Sequence, residues 1–396
     1  MSVIDSDKKV LLHLCLVQGI GPSSILKILK KFLGEFFIKK SLESKDLNLS
    51  LEKIYNYNHD DFIKKIGITN IASDLIVNGL KDKDKLEKEI ELIEKYKIDI
   101  ITFLDIDYPQ DLKEIYMPPI VLYCKGKSLN QIDKKFAVVG SRKAKAYAKN
   151  VIDDIVPELV KSDYAIVSGG ALGVDSMAHR ATLNALGTTI VILGSGLMYP
   201  YPVGNKKLFR EVVKQGGTIV SPFPLQFPAK KGNFPARNRI IAGLSSGCLV
   251  VQAAKKSGAL ITAKFALDEG RHVFAVPGSI YDELSVGCHN LIKQGAKLVN
   301  SIDDILEDFG QVNTILLSDK NSKNIKEKKE IVKNTVSVAK PNSKDEQFLN
   351  FIQKPISLDD LSIKADIDLN TLQEKLFDLQ LEGKVKQNIA GFWELE

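Results

Sequence analysis

A chain of 396 residues with 44% apolar and 26% charged residues has room for two or three domains and is not a disordered, collagenous or coiled-coil sequence. Its 55 Lys and Arg against 49 Asp and Glu leave a formal charge of +6, too mild a balance to identify a nucleic-acid binder unaided. No window approaches a membrane span, and the start, MSVIDSDKKVLLHL, lacks the succession of a signal peptide, so a cytoplasmic chain without membrane contact is expected.

In chain order, residues 1–75 read as short helices broken at VQGIGPSS, at SLESKDLNLS and at GITN. Gln18-Gly19-Ile20-Gly21-Pro22-Ser23-Ser24-Ile25 fits the hairpin of a helix-hairpin-helix or SAM-like domain, whose backbone N–H groups hold a phosphate. A plain tight turn between helices explains it equally well. Residues 76–104 form a connecting helix, amphipathic from Asp82 to Lys97. From 105 to 312, helical stretches alternate with FAVVG, AIVSGG, TTIVILGSG, GTIVSP, CLVVQA, HVFAVPG and KLVN. Near-continuous β-branched runs of this kind predict a parallel sheet covered on both faces, a Rossmann-like, doubly wound α/β domain. Residues 313–342, rich in Lys, Asn and Ser, read as a linker. Residues 343–396 regain helical periodicity in DEQFLNFI, LDDLSIKA and LNTLQEKLFDLQLEG and finish in KVKQNI and GFWELE, the order of a winged helix.

Charge is uneven along these segments. Residues 136–300 hold twenty basic and ten acidic residues, 318–344 hold eight Lys against three acids, and 345–396 sum to −6. A polyanionic ligand is therefore expected on the central domain, and the terminal segment would repel phosphate. The four cysteines, Cys15, Cys124, Cys248 and Cys288, form no CxxC pair and suit reduced thiols better than a disulfide framework or zinc site, so no metal is predicted.

The strand ending in Val139 runs through Gly140, Ser141, Arg142 and Lys143 into a helix. In a doubly wound sheet, ligands bind beyond the carboxyl ends of strands, where helix N-termini offer unpaired N–H donors to an anion. A second such turn, Ser168-Gly169-Gly170-Ala171-Leu172-Gly173-Val174-Asp175, follows the next strand, and two adjacent turns predict a groove. Lys206 and Lys207 follow Asn205 shortly after Gly194-Ser195-Gly196. In Asn233-Phe234-Pro235-Ala236-Arg237-Asn238-Arg239 the proline suits a first helical position and sets two arginines in the opening turns. Residues two apart on a helix do not share a face, so Arg237 and Arg239 should have different roles, one of them in a structural ion pair. Phe234 is a candidate for stacking a base.

Catalytic readings fare poorly. No GxGxxG follows a strand, and Gly126-Lys127-Ser128 lacks the first glycine and the following helix of a phosphate-binding loop. Gly243-Leu244-Ser245-Ser246-Gly247 matches GxSxG, but a helix precedes it and a strand follows, the reverse of a nucleophile elbow. Asp175 and His179, four apart on a helix, read as a capping aspartate and a buried histidine before they read as an acid and base. His289 beside Cys288 has no further ligands nearby.

Taken in order, VVGSRK, VSGGALGVDSMAH, VILGSGLMYPYP with Asn205, GNFPARNRIIAGLS, SGALITAKFALDEGRHVFAVPG and GCHNLIKQGAKLV resemble the DprA/Smf family, the DNA-processing proteins of bacterial natural transformation. The resemblance implies a Rossmann-like domain that dimerises, binds and protects single-stranded DNA without much sequence preference, and helps load the RecA recombinase. It brings no catalytic reaction and no cofactor; a single-strand-binding protein joins the expected partners. Carried over residue by residue, DNA binding falls on Gly140, Ser141 and Arg142, on Gly169 and Gly170, on Lys206, and on Arg237 and Asn238; Lys143, Phe234 and Arg239 complete the candidate set. Leu172 and Val203 stand where many members carry a basic residue, Pro222 where an acid commonly follows Ser, and Gln252 where Glu is common. The first two remove positive charge from the expected groove, shifting contacts towards Lys143, Lys206, Lys230 and Lys231. The alternative in another class is an enzyme resembling the Rossmann-like phosphoribohydrolases of the LOG group, which needs a PGGxGTxxE-type helix start where this chain has SGALIT.

Overall fold

The computed structural model describes residues 4–34, 51–310, 348–388 and 391–396. The expected break at SLESKDLNLS and the linker at 313–342 lie outside the described residues.

Helix α1 (Ser6–Leu16) begins where the Asp5 carboxylate accepts the Lys8 N–H at 2.8 Å. Helix α2 (Pro22–Leu33) starts on a proline, which lacks the N–H that a first turn leaves orphaned anyway. The GITN break precedes α3 (Asn70–Gly79), and α4 (Lys83–Tyr96) is capped by Asp82, close to the bounds expected for the amphipathic helix.

All seven expected apolar runs form strands: β3 (Lys135–Val139), β4 (Ala165–Ser168), β5 (Thr189–Ile192), β6 (Thr218–Ser221), β7 (Gly247–Val250), β8 (His272–Ala275) and β9 (Lys297–Leu298). Two more, β1 (Asp99–Thr102) and β2 (Val121–Gly126), add an antiparallel edge, giving the order β1-β2-β6-β5-β4-β3-β7-β8-β9. The sheet thus takes in β1, which lies ahead of residue 105 in the stretch expected as connecting helix. β1 follows α4 across Lys97 and Ile98 with no Gly or Pro to punctuate the change of period.

Alternate residues of the buried strands feed opposite layers, as strand geometry requires. Phe136, Val138 and Ile166 pack with Ile152 and Val156 of α5 (Ala146–Lys161) and Val174 and Ala178 of α6 (Val174–Asn184). Ala137, Val139 and Ile192 share a second core with Ile240 and Ile241 of α8 (Asn233–Gly243) and Ile261 of α9 (Gly258–Asp268); α7 (Lys206–Lys214) covers β5 and β6. The chain leaves β3 towards β4 on one side and returns at β7 on the other, so the crevice at the carboxyl ends of β3 and β7 is the topological switch point, where open α/β sheets bind ligands.

Beyond α10 (Val286–Lys293), the terminal segment holds α11 (Leu358–Ala365), capped by Ser357, then α12 (Leu369–Leu381) and an antiparallel pair, β10 (Val385–Gln387) and β11 (Trp393–Leu395). Ile352, Leu361, Leu372, Leu376 and Val385 form its own small core. Among the described residues no helix is long and apolar enough to cross a membrane.

Candidate nucleic-acid interface

The floor of the crevice is two glycine-rich turns laid against each other. After β3, the Ser141 N–H donates to the Gln252 carbonyl beyond β7 (2.6 Å), and the Ser141 carbonyl accepts the Val174 N–H at the start of α6 (3.1 Å). Gly173 takes φ 79°, where an L side chain is strained, and a Cβ there would lie 2.2 Å from the Ser141 carbonyl oxygen. Ser141 is buried; Arg142 and Lys143, the next two residues, are exposed. The fold therefore holds the backbone of this turn and projects its two cations outwards.

The second turn is organised from within. The Asp175 carboxylate accepts the N–H groups of Gly169 (3.1 Å) and Ala171 (3.3 Å) and lies 3.9 Å from the Arg237 guanidinium. Burial raises the Asp175 carboxyl above its usual range, against the pull of Arg237 and the two amides. Arg237 also donates to the Ile192 carbonyl, and burial lowers it to about 10. A Cβ at 169 would fall 1.1 Å from Arg237 Nη1, so any side chain there must push the buried guanidinium off its place beside Asp175. Gly169 thus serves close packing, and its N–H is already engaged. The Asn205 amide donates to the carbonyls of Gly170 and Ala171 (2.9 and 3.2 Å), tying the start of α7 to the same turn.

His179 is fully buried and its Nδ1 pairs with the Thr189 hydroxyl at 2.7 Å. Burial, with Arg237 adding to it, pushes the ring down from 6.5 to about 3. A depressed folded value means that the neutral ring contributes stability that is complete above pH 6.5 and is lost as pH falls towards 3. Lowering the pH from 7 to 4.5 should remove about 2–3 kcal/mol through this group. Urea unfolding of wild type and His179→Gln at both pH values checks it: the variant should lose less on acidification, and equal losses would refute the assignment.

Around this floor stand exposed cations and rings. Arg142, Lys143 and Lys206, the first residue of α7, are exposed, and none of them makes an ion pair among the described residues. Phe234, half-buried in the first turn of α8, has the guanidinium groups of Arg142 and Arg237 at 5.3 and 5.6 Å from its ring centre. Tyr201 tilts against the same ring at 6.0 Å. Tyr201 and Tyr199 are 45% and 54% exposed, which makes their faces, more than that of Phe234, the open aromatic surface here. Leu172 and Val203 are exposed as well.

The remaining candidates point inwards. The Asn238 amide donates to the Gly258 carbonyl at 3.2 Å. Arg239 is buried with its guanidinium 4.7 Å from the Phe265 ring and 5.8 Å from Tyr116, and burial lowers its pKa. Arg237 and Arg239 do have different partners, but both are buried. Gly243-Leu244-Ser245-Ser246-Gly247 runs from the end of α8 to the start of β7, so no serine elbow forms. Sequence reasoning missed Tyr199 and Tyr201; the only signal was two tyrosines in a proline-rich turn just ahead of Asn205.

The family model of the DNA recombination-mediator protein A matches residues 99–310. The chain is 41% identical over 230 residues to DNA processing protein DprA of Bacillus subtilis, across 58% of this chain and 77% of that one. It is 37% identical over 301 residues to protein Smf of Synechocystis sp., across 75% and 71%. The X-ray structure of DNA processing protein A from Streptococcus pneumoniae superposes with a TM-score of 0.63 at 35% identity, over 78% of this chain and 99% of that one. With more than half of its length inside the family match and a fold shared with a solved member, the chain belongs to the DNA recombination-mediator protein A (DprA/Smf) family.

Proposed function

We propose that the protein is a non-catalytic recombination mediator whose switch-point crevice binds the backbone of single-stranded DNA, protecting incoming DNA in natural transformation and passing it to RecA. The observation that carries this reading is the set of exposed cations Arg142, Lys143 and Lys206, without an ion pair among the described residues, around a floor of close-packed glycine turns. Arg142 offers a planar fork that fits phosphate oxygens, and lysines add general attraction. The exposed rings of Tyr199 and Tyr201 give bases a face to stack on, a contact that tolerates any sequence. A duplex hides its bases, so it can use the cations but not the rings.

The same reading includes a homodimer through the Rossmann-like domain, RecA and a single-strand-binding protein as protein partners, and a cytoplasmic location. The acidic terminal module, proposed as a winged helix, serves protein contact or regulation better than DNA reading, because its net −6 repels phosphate. Titration of labelled oligothymidylate and of a matching duplex tests the function. Tighter binding of the single strand, with no free base released from nucleoside monophosphates, is expected. Preference for duplex, or base release, would overturn it.

A further inference from the structure

Helix α12 lies against the opening of α8. Both Asp378 carboxylate oxygens accept from the Lys231 ammonium, at 2.6 and 2.7 Å, and the same lysine stands 5.9 Å from the Phe377 ring. Further along α8, the Gln387 side chain of β10 accepts from Arg239, closing over a guanidinium already stacked on Phe265 and Tyr116. Tyr116 in turn presses on Gly391, where a Cβ would come within 1.3 Å of the ring. On the amino-terminal side, the Ser24 hydroxyl donates to Asp359 of α11 at 2.9 Å. Phe377 and Leu381 pack on the main core. Glu382, just past α12, is held below its usual range by Lys384 and, more weakly, by Lys256 from the loop after β7. Two acids of the terminal module, Asp378 and Glu382, therefore face lysines at the carboxyl edge of the sheet.

Resting on the single-strand reading, we propose that the terminal module is a tethered occupant of the rim of the trough. Its acidic face holds Lys231 through Asp378, and a single strand that takes the same lysine must displace it. Charge complementarity favours this occupant: residues 345–396 sum to −6 and residues 136–300 to +10. Covalent attachment makes the contact intramolecular, so a weak ion pair still competes at high effective concentration. Asp378 and Lys231 are each half exposed, so each such pair holds only lightly and yields to a strand that offers several phosphates at once. The module thereby sets a threshold for binding and discriminates against short or sparse polyanions.

The test uses the full chain and two exposed acids of the same module. Asp378→Asn removes the charge that pairs with Lys231, whereas Asp366→Asn removes an equal charge at an exposed residue that makes no ion pair among the described residues. Oligothymidylate should bind Asp378→Asn about two- to fivefold more tightly than wild type and bind Asp366→Asn as wild type does. Equal affinity in all three chains, or an equal gain in both variants, would overturn the inference and leave the single-strand reading intact. Weaker binding by Asp378→Asn would also overturn it, by making Asp378 part of the binding surface. Absence of binding by every chain would sink the single-strand reading itself and the inference with it.

Discussion

Arg142→Ala is expected to weaken binding of single-stranded DNA of every sequence by about ten- to a hundredfold. A hydrogen bond to a charged group contributes about 1.5–3 kcal/mol, and each 1.4 kcal/mol or so is tenfold in affinity. Phosphate contacts carry no sequence information, so oligothymidylate and mixed-sequence strands should lose alike. The slope of log affinity against log salt should also flatten by about 0.7, the share of one phosphate on a single strand. Folding should be untouched, because the guanidinium is exposed and its packing contact is the Phe234 ring. Fluorescence anisotropy at several salt concentrations reads both effects; unchanged affinity would move the site elsewhere.

Asp175→Ala is expected to destabilise the fold by about 3–5 kcal/mol, the range for leaving a buried charge without its partner. Arg237 would keep a desolvated guanidinium beside no carboxylate, and the Gly169 and Ala171 N–H groups would lose their acceptor. Replacing both members of a buried pair by apolar groups is far milder, so Arg237→Met placed on Asp175→Ala should recover part of the loss. Urea midpoints of the two singles and the double measure it. Full additivity would show that the two side chains do not act as a pair.

The layout of the sheet was legible because each central strand is a short β-branched run bounded by Gly, Ser or Pro, and the helices between them are long enough for crossovers. The antiparallel edge was not: β1 follows α4 without punctuation, and β2 pairs with β6, a strand some ninety residues further along. The two glycine turns and the exposed Arg142 could be read from sequence because strand ends before helices define the ligand edge of this fold class. The burial of Arg237 could not. It depends on Gly169 and Asp175 from another crossover, and that of Arg239 on Tyr116, Phe265 and Gln387, which no local pattern brings together. Asp175 reads from sequence as a helix-capping residue, but the helix opens on Gly173 without a side-chain cap, and the carboxylate instead accepts the Gly169 and Ala171 N–H groups of the preceding turn. Tyr199 and Tyr201 escaped because a proline-rich turn says little about which faces stay open.

The salt dependence of single-strand binding tests the central claim most directly. If about five phosphates are neutralised, a slope of about −0.7 for each makes the affinity of oligothymidylate fall roughly a hundredfold between 50 and 200 mM salt. An affinity that stays constant across that range would contradict a cationic trough at the switch point of the sheet.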